Sequence, residues 1–126
     1  MMKKFGIALN CIDGRTQLSV IDWMRAHFNL DYVDLITEPG IDGVFSRGDI
    51  AVLQMIRDKV FISINAHNSE VLAVVGHYDC AANPVSDDYH IRDIAMSVNV
   101  VKSWQLPLIV VGLWVDELWK VHLVCM

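Results

Sequence analysis

"EVLAVVGHYDC", residues 70–80, is an apolar run that stops abruptly at a histidine and a cysteine. Its first eight residues, Glu70 to His77, are rich in β-branched side chains and do not alternate with polar ones. This pattern is typical of a central strand in a parallel sheet, which is buried on both faces. His77 and Cys80 follow where the chain must turn, so they indicate either a metal or redox site or two buried residues at a strand end.

The segments around this strand alternate between strand and helix patterns. We predict strands at residues 4–10, 31–37, 70–77, 107–115 and 118–125, and helices at 16–29, 46–68 and 86–104, with Thr16 and Ser86 as N-caps. The order β-α-β-α-β-α-β-β predicts an α/β fold with a mostly parallel central sheet and right-handed crossovers. We expect three layers, the strand order 2-1-3-4 with an antiparallel edge strand 5, and one domain over residues 1–126.

The composition is that of an apolar, acidic chain. Of the 126 residues 54% are hydrophobic, and the formal net charge is −5 with Lys and Arg scattered along the chain. The longest charge-free apolar stretch, residues 106–115, has about half the length that spans a bilayer, and the apolar N-terminal segment is too short for a signal peptide. We therefore expect a soluble cytoplasmic protein with reduced cysteines, no nucleic-acid partner and no membrane span.

A second polar motif, "CIDGR" from Cys11 to Arg15, follows the first predicted strand. In the order 2-1-3-4 the first and third strands are neighbours, and ligand sites in open α/β sheets form beyond the carboxyl ends of such strands. Cys11, His77 and Cys80 would then project from adjacent strand ends. Two thiolates and one imidazole suit zinc and leave a fourth tetrahedral position open.

Asp13 and Arg15 give this predicted site two alternative states. Asp13 could fill the fourth position, or Arg15 could hold the carboxylate away through a bidentate ion pair. The sequence leaves both states open, together with a metal-free interpretation in which the cysteines and His77 are simply buried. A phosphatase loop is excluded because three residues, not five, separate Cys11 from Arg15, and the chain has no C-x-x-C, P-loop or G-x-G-x-x-G motif.

The two motifs together resemble those of the β-class carbonic anhydrases. That family has C-x-D-x-R after its first parallel strand and H-x-x-C after a later one, which stand here as "CIDGR" and "HYDC". The distance between the motifs and the terminal strand hairpin are also similar. The resemblance spans roughly Phe5 to Val124.

The resemblance implies a role for each motif residue. Cys11, His77 and Cys80 would be the zinc ligands. Asp13 would orient a zinc-bound hydroxide or become the fourth ligand, and Arg15 would be its partner. The implied reaction is the reversible hydration of carbon dioxide to bicarbonate by zinc hydroxide, and the family's habit of pairing implies a homodimer or a higher homo-oligomer.

The chain departs from the family at Gly14, where the family usually has serine, and at Ala81, where it often has glycine. Two alternatives to this activity therefore stay open. A related zinc hydrolase would act on carbonyl sulfide or carbon disulfide. A non-catalytic zinc-binding protein on the same fold would keep Asp13 on the metal. We expect this chain to share the family's fold and metal more closely than its activity.

Three further features concern the surroundings of the predicted site. Cys125 lies on the edge strand, away from the site, and is not expected to bind metal. A proton relay to solvent would need a residue near the mouth of the site, and the candidates are Tyr78, Asp79, His90, His27 and His67. The four tryptophans either pack in the core or form a dimer interface; they are Trp23, Trp104, Trp114 and Trp119.

Overall fold

The structure is a computed structural model that describes residues 2–126, which form five strands and four helices. In chain order these are β1 (Phe5–Asn10), α1 (Gly14–Phe28), β2 (Tyr32–Thr37), α2 (Ile41–Arg47), α3 (Ile50–His67), β3 (Val71–His77), α4 (Asp87–Ser103), β4 (Ile109–Val115) and β5 (Val121–Cys125).

Strand β3 lies at the centre of the sheet, whose strand order is β2-β1-β3-β4-β5. It is parallel to both neighbours, and all of its residues are buried. Strand β2 also pairs in parallel with β1, whereas β5 runs antiparallel to β4. The predicted α/β fold, strand order and antiparallel edge strand are therefore confirmed. Because β1 and β3 are parallel neighbours, the loops that follow them leave the sheet at the same edge.

Helices cover both faces of the sheet and make it the middle of three layers. Helix α1 packs on one face through Val20 and Met24. Helices α2, α3 and α4 pack on the other face, where Ile56 and Val60 of α3 are fully buried. Burial of each such side chain stabilises the fold by about 1.5–3 kcal/mol. Within residues 2–126, no helix is both long enough and apolar enough to cross a membrane.

The segment 46–68, which we predicted as one helix, is divided in the structure. Helix α2, which the sequence pattern did not predict, ends at Arg47, and Gly48 follows in the left-handed conformation with φ 67°. Asp49 then caps α3, and its carboxylate accepts a hydrogen bond from the Val52 N–H at 3.3 Å. Glycine after a helix is a common stop signal. The apolar periodicity of the residues that follow Gly48 nevertheless favoured the prediction of one continuous helix.

Helix α1 begins at Gly14, and its N-cap is Asp13 rather than the predicted Thr16. The Asp13 carboxylate accepts a hydrogen bond from the Arg15 N–H at 2.9 Å, whereas the buried Thr16 hydroxyl donates to the Asp13 carbonyl. Ser86 caps α4 as predicted. The start of α1 is therefore fixed by one of the predicted site residues.

Candidate metal centre

The loops after β1 and β3 place Cys11, His77 and Cys80 side by side. The two sulfur atoms and a ring nitrogen of His77 all lie within 4.8 Å of one another, and the three residues are buried. The sulfur atoms are 4.0 Å apart, and both cysteines are free thiols. The structure therefore brings together the three residues that the sequence analysis selected as possible ligands.

The imidazole of His77 is oriented by the backbone and leaves one nitrogen without a partner. Its Nδ1 atom lies 2.7 Å from the carbonyl oxygen of Tyr78. Because a carbonyl oxygen can only accept, Nδ1 carries a proton, and in the neutral ring Nε2 presents a lone pair. In residues 2–126, this Nε2 is the only buried side-chain nitrogen or oxygen without a hydrogen-bond partner. Such an atom is costly to bury, and a metal ion would satisfy it.

The two thiols differ in their tendency to ionise. The hydrogen bond between Cys11 and Cys80, with support from His77 and the Gly40 N–H, holds the pKa of Cys11 well below its ordinary value despite burial. The Gly40 nitrogen lies 3.3 Å from the Cys11 sulfur. The same contact with Cys11, together with burial, raises the pKa of Cys80. One thiolate is thus favoured before any cation binds.

The charge on Cys11 also affects the histidine. Burial lowers the pKa of His77, but Cys11 and the Tyr78 carbonyl outweigh burial, so the pKa of His77 lies above its ordinary value. An incoming metal ion would therefore compete with a proton for Nε2.

This set of donor atoms fits a zinc ion. Thiolates and imidazoles are usual zinc ligands, and a tetrahedral ion with Zn–S distances of about 2.3 Å separates two sulfurs by about 3.8 Å. The sulfurs of Cys11 and Cys80 are 4.0 Å apart. Three protein ligands leave a fourth position for water or substrate, as in catalytic zinc sites.

Gly40 brings the loop after β2 against the site. Its φ of 57° lies in the left-handed region, and a β carbon at this position would lie 2.9 Å from the carbonyl carbon of Ala82. Glycine combines this backbone conformation with so close a contact. The close approach lets the Gly40 N–H reach the Cys11 sulfur.

The carboxylate of Asp13 is paired with Arg15. Nη2 of Arg15 lies 2.7 Å from Oδ2 of Asp13, and Nε lies 3.1 and 3.2 Å from the two carboxylate oxygens. The guanidinium lowers the pKa of Asp13 to about 2, and the carboxylate raises the pKa of Arg15. Oδ2 of Asp13 is 4.0 Å from Nε2 of His77. Of the two predicted states, the structure has the one in which Arg15 holds Asp13.

Arg15 also joins the two motifs. Its Nη2 and Nη1 atoms donate to the backbone carbonyl and the carboxylate of Asp79, at 3.2 and 3.3 Å. Trp119, in the turn between β4 and β5, covers the guanidinium, with Cζ 4.5 Å from the centre of the ring. Neither Asp79 nor Trp119 was predicted as a partner of Arg15, because both contacts depend on how distant loops meet.

Asn10 and Gln17 hold the backbone of Cys11 in place. Asn10 has no exposed surface, and its Oδ1 atom accepts a hydrogen bond from the Cys11 N–H at 2.9 Å. Nε2 of Gln17 donates to the Cys11 carbonyl at 2.7 Å. Nδ2 of Asn10 also donates a hydrogen bond to Oε1 of Gln17 at 3.3 Å. The sequence signal for Asn10 is a polar residue at the end of the apolar first strand.

A buried polar network lies behind the loop that carries Cys80. Nδ1 of His90 lies 2.6 Å from Oδ2 of Asp42. Nδ2 of Asn83 donates to Oδ1 of Asp42 and to Oδ2 of Asp93, both at 3.1 Å. The network therefore ties the loop after Cys80 to helices α2 and α4. The network was not predicted from the sequence, because helix α2, which carries Asp42, was not predicted.

This network corrects one expectation about proton transfer. His90, which we expected near the mouth of the site, is only 1% exposed and belongs to the network. His27 and His67 contact residues outside the metal centre. The exposed candidates that adjoin the three possible ligands are Tyr78 and Asp79.

An apolar pocket of about 220 Å³ opens beside Cys11. Its walls come from the loops after β1, β2 and β3, and most of its surface is hydrocarbon. The residues that line it are Cys11, Ile12, Asp13, Pro39, Ala81 and Ala82.

Fold and site together define an α/β protein with a buried cluster of two cysteines and a histidine at the carboxyl ends of its parallel strands. The model of the family described as "Putative carbonic anhydrase" matches residues 1–125, and the chain belongs to this family. The structure is similar to a carbonic anhydrase from Glaciozyma antarctica, with a TM-score of 0.60 and 17% sequence identity, over 94% of this chain and 80% of that one. No curated protein matches the sequence. The resemblance to carbonic anhydrases is thus confirmed for the family and the fold.

Proposed function

We propose that this chain binds one zinc ion through Cys11, His77 and Cys80 and catalyses the reversible hydration of carbon dioxide to bicarbonate. The observation that carries the proposal is the buried Nε2 atom of His77, which has no hydrogen-bond partner in the described part of the chain and lies within 4.8 Å of two cysteine sulfurs. The family to which the chain belongs supports the choice of reaction.

The residues around the three ligands would orient the attacking water. Zinc in this position supplies the Lewis acidity that makes water a nucleophile at neutral pH. The low pKa of Asp13 keeps its carboxylate ionised, so it can only accept hydrogen bonds. Its Oδ2 atom, 4.0 Å from Nε2 of His77, is placed to accept a hydrogen bond from the attacking water and to orient it. Arg15 pairs with this carboxylate and would hold it away from a bound metal ion.

The pocket beside Cys11 suits a small substrate without hydrogen-bond donors. Its walls include Ile12, Pro39, Ala81 and Ala82, and its volume is about 220 Å³. Carbon dioxide is linear and apolar, and an apolar pocket holds it while keeping bulk water away. The apolar lining of the pocket therefore supports the proposed substrate.

Stopped-flow measurement of carbon dioxide hydration tests the proposal. We expect zinc-loaded wild type to exceed the buffer rate and Cys80→Ser to lose both zinc and activity. Arg15→Gln should keep zinc but lower kcat by about 10- to 100-fold, the usual effect of removing a partner of a metal-site residue. Arg57→Gln is the matched control, because Arg57 is also exposed and stacked on aromatic rings but lies on α3. A zinc-loaded wild type no faster than buffer would overturn the proposed reaction.

Two other results would assign a different function. Sulfide release from carbonyl sulfide or carbon disulfide, without hydration of carbon dioxide, would identify a related zinc hydrolase. Asp13 bound to zinc at every pH, without activity, would identify a non-catalytic zinc-binding protein. The pairing of Asp13 with Arg15 favours the catalytic function over the last of these.

We also propose that the chain works as a homodimer or higher homo-oligomer in the cytoplasm. Exposed apolar side chains on α3 support assembly, since Ile50, Met55 and Ile62 are 77%, 56% and 67% exposed. Free cysteines support a reducing compartment. Light scattering measures the mass in solution, and a monomer at micromolar concentration would overturn the proposed assembly.

A further inference from the structure

Trp119 is held in an uncommon backbone conformation at the carboxyl edge of the sheet. Its φ is 60°, and a bulky residue keeps this conformation only where the surrounding contacts impose it. The Trp119 N–H donates to the Asp116 carbonyl at 2.9 Å. The Asp116 carboxylate in turn accepts hydrogen bonds from the N–H groups of Leu118 and Lys120. The turn between β4 and β5 thus presents the indole ring in a fixed place.

The indole ring lies over Arg15 and near His77. The centre of the indole is 4.5 Å from Cζ of Arg15 and 6.5 Å from the centre of the His77 ring. A guanidinium contacts aromatic rings with its face and carboxylates with its edge. Trp119 can therefore hold the face of Arg15 while Asp13 and Asp79 accept hydrogen bonds from its edge.

The ion pairs hold only the edge of the Arg15 guanidinium. The pair with Asp79 is exposed, since the two side chains are 46% and 68% exposed, and such pairs contribute little to stability. The pair with Asp13, whose side chain is 19% exposed, is bidentate and is the stronger of the two. The indole covers one face of the guanidinium and shields it from water, which strengthens the interaction. The aromatic contact therefore restrains the face of Arg15, which neither ion pair does.

We propose that Trp119 is a positioning residue of the metal centre. Its indole holds Arg15 in the orientation that pairs with Asp13, and this pairing keeps the carboxylate out of the fourth position of the metal. Without the ring, Arg15 moves into solvent and Asp13 turns toward the metal. The inference rests on the proposed zinc site and is independent of the proposed reaction.

NMR spectroscopy of the metal-free protein tests the contact itself. In wild type the ring current of Trp119 should shift the Arg15 Nε–H resonance upfield, and its exchange with water should be slow. Trp119→Leu should abolish the shift and speed exchange by about two- to thirty-fold, the equilibrium equivalent of one cation–π contact. Trp119→Phe keeps an aromatic face and should retain most of both effects. Trp23→Leu is the matched control, because Trp23 packs on the same core cluster but stacks on His27.

Azide binding to the cobalt(II)-loaded protein, followed by visible absorption, tests the effect on the metal without any carbon dioxide chemistry. Azide should bind wild type at the fourth position. In Trp119→Leu the azide Kd should rise by about two- to thirty-fold, because Asp13 now competes for this position. Trp119→Phe and Trp23→Leu should bind azide as wild type does.

Each arm has a result that would overturn the inference. An Arg15 resonance that Trp119→Leu leaves unchanged would overturn the aromatic contact, and an unchanged azide Kd would overturn its role at the metal. Trp119→Met replaces Trp119→Leu if the latter does not fold, because methionine fills irregular gaps without an aromatic face. A wild type that binds no cobalt would contradict the proposed zinc site, and the Arg15 resonance would still decide whether Trp119 holds Arg15.

Discussion

Nδ1 of His90 lies 2.6 Å from Oδ2 of Asp42, and each residue is only 1% exposed. The other oxygen of Asp42 accepts hydrogen bonds from the Gly43 N–H and from the side chain of Asn83. Both carboxylate oxygens are thus satisfied inside the protein. Because Asn83 lies three residues after Cys80, the position of one possible metal ligand depends on this buried carboxylate.

Asp42→Ala should therefore be strongly destabilising. It leaves His90 buried without its partner and removes one of the two carboxylates that Asn83 contacts, and breaking a buried pair in this way costs about 3 kcal/mol or more. We expect urea denaturation to show this loss in the free energy of unfolding. Glu70→Ala is the control, since Glu70 is exposed and lies outside the helices and should change stability by less than about 0.5 kcal/mol. If the two variants had the same free energy of unfolding, the buried network would not contribute to stability.

The cysteines should differ in their importance for zinc. Cys11→Ser and Cys80→Ser each remove a sulfur ligand and should weaken zinc binding by more than about 100-fold, beyond the effect of losing an outer-shell partner. Cys125→Ser should bind zinc as wild type does, because Cys125 lies on β5 outside the cluster. Competition with a chromogenic chelator measures all three affinities. A full equivalent of tightly bound zinc in Cys80→Ser would contradict the ligand assignment.

Zinc should stabilise the fold as well as bind to it. A ligand that binds only the folded state at 100 times its Kd raises the free energy of unfolding by about 2.7 kcal/mol. For a chain of this size, Tm should rise by roughly 10 °C. Thermal scans with zinc, and again after EDTA, measure the shift and its reversal. Cys80→Ser should show neither, and a zinc-independent wild-type Tm would count against a metal in the core.

The features that could be predicted from the sequence are those that depend on short, local patterns of residues. The uninterrupted apolar run of β3 indicated a central parallel strand, and the predicted strand order 2-1-3-4 made β1 its neighbour, so Cys11 and His77 could be paired from sequence. The break at Gly48 was missed because periodic apolar residues on the following helix dominated the pattern.

Contacts that depend on tertiary packing were not predictable. Trp119 reaches Arg15 only because the β4–β5 hairpin turns at the edge where α1 begins. His90 reaches Asp42 only because α2 packs against α4 beside β3. Neither contact has a local signature, since a tryptophan in a turn and a histidine on a helix are compatible with many other neighbours.

Gly76 should not tolerate a side chain. A β carbon on it would lie 2.6 Å from Oδ2 of Asp42 and 2.9 Å from Cδ1 of Ile94. Gly76→Ala should therefore cost about 1–3 kcal/mol of stability, as overpacked core substitutions do, and should disturb the neighbouring His77. Gly14→Ala is the matched control, because a β carbon there meets nothing within 4 Å. If Gly76→Ala were as stable as Gly14→Ala, strand β3 and helix α4 would have to move apart at little cost in free energy.

The turn that carries Trp119 should loosen in acid. His122 lies 2.6 Å from the Asp116 carboxylate, and this contact, with the N–H groups of Lys120 and Leu118, holds the pKa of Asp116 below its ordinary value. A depressed folded-state pKa means that the stabilisation is fully present above the unfolded-state value of about 3.9. It is lost as the pH falls through the lower, folded-state value.

The N–H resonances of Leu118 and Lys120 report this titration directly, because both groups donate to Oδ1 of Asp116. Their chemical shifts should show a step at acid pH with a midpoint below 3.9, the ordinary value for aspartate. Asp116→Asn should abolish the step, whereas Glu117→Gln, at an exposed neighbouring position, should leave it in place. A midpoint at or above the ordinary value would show that His122 does not stabilise the carboxylate, and the turn would then hold Trp119 by its backbone alone.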